Sequence, residues 1–226
     1  MIRLNTKRSS MQFIETVFDI AYLSAVFISA ALLCVGSTVG GEGWRFGIMA
    51  LILGIGDSCH LIPRINFLWD SSRKDHTTAL GIGKLAASIT MTIFYMILWD
   101  IGVKHYAIPS FSYLTPVVYA LAALRIVLCL MPQNGWTSKS PSLKWAIWRN
   151  IPFLALGMVV MALFAIGAHT KGGAFPYLWL AIFISFACYM PVVLFSGRNA
   201  KVGMLMLPKS CAYVAIVLMG FSLPIA

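Results

Sequence analysis

Seven charged side chains stand inside long apolar runs of this 226-residue chain: Glu15, Asp19, Asp57, Arg64, Lys84, Arg125 and Lys209. His60 stands with them. A charge at mid-bilayer costs about 2.5–3.5 kcal/mol even on the lenient insertion scale, so such groups must face one another or a wet cavity. Helical spacing brings them together. Asp57, His60 and Arg64 fall at i, i+3 and i+7, on one helix face. Glu15, Asp19 and Tyr22 share a face in the same way, as do Lys84, Ser88 and Tyr95, while Lys209 and Tyr213 lie at i and i+4. Four bases against three acids leave a small positive excess. That excess suits an anionic group such as a phosphate, which Arg meets with a planar fork and Lys with a point charge. Arg64, Lys84, Arg125, Lys209 and Asp19 are therefore candidate substrate contacts. The plainer alternative is a set of internal ion pairs, with Arg64 and Lys84 snorkelling to the interface.

The elements that position these groups are membrane spans. Residues are 60% apolar and only 11% charged, where a soluble domain carries about 25% charged residues. Mean hydropathy is +0.85. At roughly 20 apolar residues per crossing, the spans fall at about 14–36, 46–68, 79–101, 111–131, 147–169, 175–195 and 202–222. The fold expected is all-α, a polytopic membrane bundle of about seven helices, with residues 1–13 as a basic cytoplasmic tail and 14–226 as one helical domain. Lys and Arg set its orientation. The amino-terminal tail and loops two, four and six hold ten: Arg3, Lys7, Arg8, Arg73, Lys74, Lys139, Lys144, Arg149, Arg198 and Lys201. The other side holds three, Arg45, Lys104 and Lys171. The positive-inside rule puts the amino terminus in the cytoplasm. Glu15, Asp19, Arg64, Lys84, Arg125 and Lys209 then occupy the cytoplasmic half, with Asp57 near the middle and His60 slightly closer to the cytoplasm. The expectation is a polar pocket open toward the cytoplasmic leaflet of the cell membrane.

Several function classes drop out. The net charge of +10 is spread over short loops and forms no basic patch with interleaved aromatics, so membrane lipids and not nucleic acid are the expected partners. The five cysteines include no C-x-x-C pair, which excludes a zinc or redox motif of that kind. His76, His105 and His169 fall in loops on different sides, so no three-histidine metal site forms with His60; neither metal nor cofactor is expected. Gly83-Lys84-Leu85 lacks the Ser or Thr of a P-loop. The first span is too long for a signal peptide and is followed by no small-x-small cleavage site. A lysine in the last span would suit a retinal Schiff base, but Lys209 lies toward the cytoplasmic end, which speaks against it.

The run Gly56-Asp57-Ser58-Cys59-His60-Leu61-Ile62-Pro63-Arg64 resembles the Gly-Asp motif of the YhhN-like lysoplasmalogenase family, small polytopic membrane enzymes. Gly83 through Tyr95 resembles the small-and-aromatic helix that follows it there, and the likeness covers residues 51–95. The resemblance implies hydrolysis of the vinyl-ether bond of lysoplasmalogen-type lipids, with Asp57 as the catalytic carboxylate. A carboxyl group in a poorly solvated site suits the protonation of carbon that this reaction requires. His60, one turn on, joins Asp57 as a catalytic candidate. The competing expectation is a small-solute or proton-coupled transporter with the same charged pocket, although no internal repeat marks the chain.

Overall fold

A computed structural model describes residues 2–70, 75–195 and 199–223, with side chains described from residue 11 onward and not at Ala200. Among the described residues every regular element is helical. The helices are α1 (Ile2–Val35), α2 (Glu42–Trp69), α3 (Thr77–Tyr106), the single turn α4 (Pro109–Ser112), α5 (Thr115–Leu130), α6 (Leu143–Lys171), α7 (Leu178–Phe195) and α8 (Met206–Met219). Among the described residues seven stretches are long and apolar enough to cross a membrane, one for each expected span. The fourth starts with α4, because Pro109 and Pro116 each open a helix. The last starts as a 3-10 helix, Ala200–Leu205. Helix α1 runs unbroken from the segment expected to be a tail into the first span.

Neighbouring spans pack in chain order and the last closes against the first: α1 on α2, α2 on α3, α3 on α5 and α6, α5 on α6, α6 on α7, α7 on α8, and α8 on α1. Apolar side chains cover both sides of this ring, because lipid replaces water outside it. On α1, Ile14, Val17, Ile28 and Leu32 point outward, while Tyr22, Val26, Ala30 and Leu33 are buried. The interior is largely aromatic: Phe94, Tyr95, Trp99, Phe153, Phe164 and Phe175 are all 2% exposed or less.

Two glycines fix how α3 meets its neighbours. Pro63 has no N–H to donate to the Cys59 carbonyl one turn earlier, and α3 packs onto that freed carbonyl at Gly83. A Cβ at Gly83 would lie 2.1 Å from Cys59 O and 2.8 Å from His60 Cα. One half-turn earlier, a Cβ at Gly81 would lie 1.8 Å from Trp136 O. The start of α3, and with it Lys84, is thereby wedged between the His60 turn of α2 and the loop after α5.

Candidate functional site

The charged faces of α1 and α2 meet along the seam between these helices. Tyr22 donates its hydroxyl to Asp57 Oδ2. Seven residues back along α1 and seven forward along α2, Arg64 pairs with Glu15. Gln12 Nε2 continues the ladder to Leu68 O at 3.2 Å. Antiparallel helices in this register set Asp19 level with His60. Asp19 is buried, and among the described residues its Oδ2 has no hydrogen-bond partner; His60 Nδ1 is likewise buried and unpartnered there.

Helix α8 brings Lys209 to the same centre. Its Nζ lies 5.2 Å from the Tyr189 ring centroid and 5.1 Å from that of Tyr213, within the range of cation–π attraction. Lys209 acts electrostatically on both Asp57 and His60. Lys84 and Arg64 act on His60 as well, so the imidazole lies in the field of three cations. Lys84 itself is exposed and makes no ion pair among the described residues.

Arg125 belongs to a second polar centre. It is 2% exposed. Its Nε donates to Thr92 Oγ1 at 2.9 Å, and one terminal nitrogen donates to Arg149 O at 3.2 Å and to Asn150 Oδ1 at 3.1 Å. The guanidinium stacks on Phe153, 3.5 Å from the ring centroid. Tyr189 donates to the same Asn150 oxygen at 2.9 Å. Arg125 thus ties α5 to α3 and α6 through neutral acceptors, and those bonds are internal. The two centres communicate through aromatic rings: Phe153 against Tyr95 at 5.3 Å, then the Tyr95 and Tyr213 hydroxyls at 3.5 Å.

Neither a protein-family model nor a curated protein matches this chain. The functional argument therefore rests on the chain's own geometry. Asp57, His60, Arg64, Lys209 and Asp19 come together, Lys84 borders them, and Arg125 does not join. Among the counted basic residues, the side chains of Arg3, Lys7 and Arg8, together with residues Arg73, Lys74 and Arg198, lie outside the described ones.

Sequence reasoning placed Tyr22 on the right face without giving it a role. It missed Tyr189 and Asn150, although a lone Asn in the apolar α6 run was a visible signal, since a polar group in lipid must find a partner. It counted Arg149 with the basic residues of loop four, although the expected span 147–169 contains it. The structure puts it in α6, stacked 4.1 Å over Trp136 and donating to Asn134 Oδ1 at 2.8 Å. Chemically, the α1–α2–α8 centre offers carboxylates for proton transfer beside cations able to neutralise an anion. Among the described residues no group of three or more His, Cys, Asp or Glu is placed to hold a metal ion.

Proposed function

We propose that this protein is a membrane-embedded hydrolase of an amphiphilic lipid, with Asp57 as its acid–base group and vinyl-ether lysolipids of the lysoplasmalogen type as its substrate class. The observation that carries the proposal is the interior Asp57 carboxyl group, held through Oδ2 by Tyr22 and within the field of the Lys209 ammonium. Tyr22 engages one oxygen, which leaves Oδ1 to give and take the proton. Positioned general acids of this kind contribute about 10²- to 10⁴-fold in rate. The substrate class comes from the likeness of residues 51–95 to the lysoplasmalogenase motif.

With the amino terminus in the cytoplasm, as the basic bias requires, the site faces the cytoplasmic leaflet. Lys84 and Lys209 are the cations available to an anionic headgroup there, since Arg64 is paired with Glu15 and Arg125 with its own acceptors. An apolar groove of about 400 Å³ runs between α7 and α8, from Pro208 and Cys211 to Tyr177 and Met219. It begins at Pro208, the residue before Lys209 in the chain, and suits the hydrocarbon chain of the same molecule. Its volume falls within the ~300–1,000 Å³ typical of small-molecule sites.

A proton-coupled carrier is the second reading, favoured by the Tyr22 hydroxyl on Asp57 and by the Tyr95 and Tyr213 hydroxyls, 3.5 Å apart, between α3 and α8. Both are tested in vesicles carrying the purified protein and 1-alkenyl lysophosphatidylethanolamine. The wild type should release long-chain aldehyde. Asp57→Asn should lower that release at least 100-fold with unchanged thermal stability, and Lys84→Gln should raise KM. Undiminished hydrolysis by Asp57→Asn would sink the assignment. Accumulation of intact lysolipid across the membrane, with no aldehyde formed, would favour the carrier.

A further inference from the structure

Two polar atoms in the α1–α2 seam lack a partner among the described residues, and they sit at one level. Asp19 is 7% exposed, and its Oδ2 is buried without a hydrogen bond. His60 Nδ1 is buried without one as well. The Tyr22–Asp57 bond fixes the seam on one side of this level and the Glu15–Arg64 pair fixes it on the other. The two helices therefore cannot slide to bring other partners into reach. A buried carboxylate oxygen left unbonded is costly within a bilayer, and a buried imidazole nitrogen adds to that. Natural folds keep such atoms when a bound molecule satisfies them.

Charge narrows the identity of that molecule. The local field is mixed: Arg64, Lys84 and Lys209 act electrostatically on the imidazole, while Arg64, Glu15 and Asp57 act on Asp19. An anion would meet the Asp19 carboxylate, and a cation would meet the ring of bases. A neutral molecule that donates to Asp19 and also bonds to either tautomer of His60 fits both sides. Water does this with two of its usual two to four hydrogen bonds.

We propose that Asp19 Oδ2 and His60 Nδ1 hold one water molecule between α1 and α2, and that this is the water consumed in hydrolysis. The role rests on the hydrolase reading above; the water site does not. In the reaction, Asp57 gives its proton to the vinyl carbon remote from the ether oxygen. The water oxygen bonds to the carbon that carries that oxygen, and one water proton passes to Asp19. The hemiacetal then loses its hydroxyl proton as the bond from carbon to the glycerol oxygen breaks, and that oxygen takes up a proton. Aldehyde and alcohol leave, and water is the only co-reactant. Passage of the proton from Asp19 to Asp57, its neighbour across the seam, resets the pair. Asp19, read from the sequence as a substrate contact, becomes the second catalytic carboxylate.

The test joins a structure of the full chain in lipid nanodiscs, at a resolution that shows water, to kinetics of Asp19→Asn. The expected result is one solvent oxygen within hydrogen-bond distance of both atoms, with kcat for vinyl-ether hydrolysis reduced about 10²- to 10⁴-fold and KM unchanged. A direct Asp19–His60 bond, a dry seam or a larger bound group overturns the water site whatever the activity. A bound water in a protein that hydrolyses no vinyl ether upholds the site and removes the hydrolase reading. A bound water with full activity in Asp19→Asn overturns the catalytic role of Asp19. Asp19→Leu is the second variant: it should stay folded and lose the water density, and retention of that density in it overturns the site.

Discussion

Replacing Gly83 by Ala tests whether the start of α3 really rests on the α2 backbone. The new Cβ would stand 2.1 Å from Cys59 O, 2.8 Å from Cys59 C and 2.8 Å from His60 Cα. Real Cβ atoms essentially never come closer than 3.0 Å to such neighbours, so α3 must move out by roughly 1 Å against tightly packed surroundings. All three obstructing atoms are backbone, and none can rotate aside. Overpacking of this kind costs about 1–3 kcal/mol. The upper end applies here, less about 1 kcal/mol returned by the better helix propensity of Ala. The net is a loss of about 2 kcal/mol, or a Tm lower by on the order of 5 °C. The assay is thermal unfolding of purified protein in one detergent, beside Gly203→Ala, whose Cβ would meet nothing within 4 Å. The control should match the wild type. Because the displaced helix carries Lys84 and abuts His60, Gly83→Ala should also raise KM for the lysolipid. An unchanged Tm in Gly83→Ala would refute the close contact, and with it the placement of Lys84 beside His60.

Two further outcomes follow from groups outside the proposed chemistry. Arg125→Lys keeps the charge but cannot reach Thr92, Arg149 and Asn150 together; charge-assisted bonds contribute about 1.5–3 kcal/mol each, so loss of one or two should lower the Tm clearly, whereas a wild-type Tm would show that the planar fork is dispensable. Asp75, in the loop before α3, accepts from Thr77 N at 2.9 Å and pairs with Lys139 at 3.3 Å. The Thr77 hydrogen bonds first, and Lys139 after them, pull its carboxyl down to about 2. Its folded value lies below the unfolded one, so its stabilisation is present above the usual carboxylate value and fades as pH falls through about 2. A carboxyl carbon titration by NMR should place its midpoint there, and a midpoint at the ordinary value would show that the loop contact does not form in solution.

The spans were legible because membrane helices announce themselves by length and apolarity, and all seven occur. Their ends were less so: α1 extends back to Ile2, and the last span opens as a 3-10 helix, where no strong breaker marks the change. Within the site, the 3.6-residue period was enough to put Glu15, Asp19 and Tyr22 on one face and Asp57, His60 and Arg64 on another. The pairing across the seam was not readable, since the register of one helix against the next depends on packing and not on the period of either. Arg125 shows the same boundary. Depth along its helix put it level with the other bases, but rotation about the helix axis turned it toward Thr92 and Asn150. Only tertiary packing decides that rotation.

The structure also divides the nine-residue motif on which the lysoplasmalogenase resemblance rests. Gly56 faces Thr90 so closely that its Cβ would lie 1.7 Å from Thr90 Oγ1. Ser58 bonds back to Gly54 O at 2.7 Å. Pro63 frees the Cys59 carbonyl that Gly83 covers, and Arg64 pairs with Glu15. These four positions have packing or pairing duties that any tightly joined α1–α2–α3 unit of this kind would impose. Asp57 and His60 are different. Packing alone gives no reason for an interior carboxylate level with Lys209, or for an imidazole nitrogen without a partner; apolar residues there would avoid the desolvation cost. Cys59 and Ile62 are exposed and Leu61 packs against the core, so the case for chemistry narrows from nine residues to two, plus Asp19 across the seam, and a substitution series confined to Asp19, Asp57 and His60 separates function from fold more sharply than one spread over the motif.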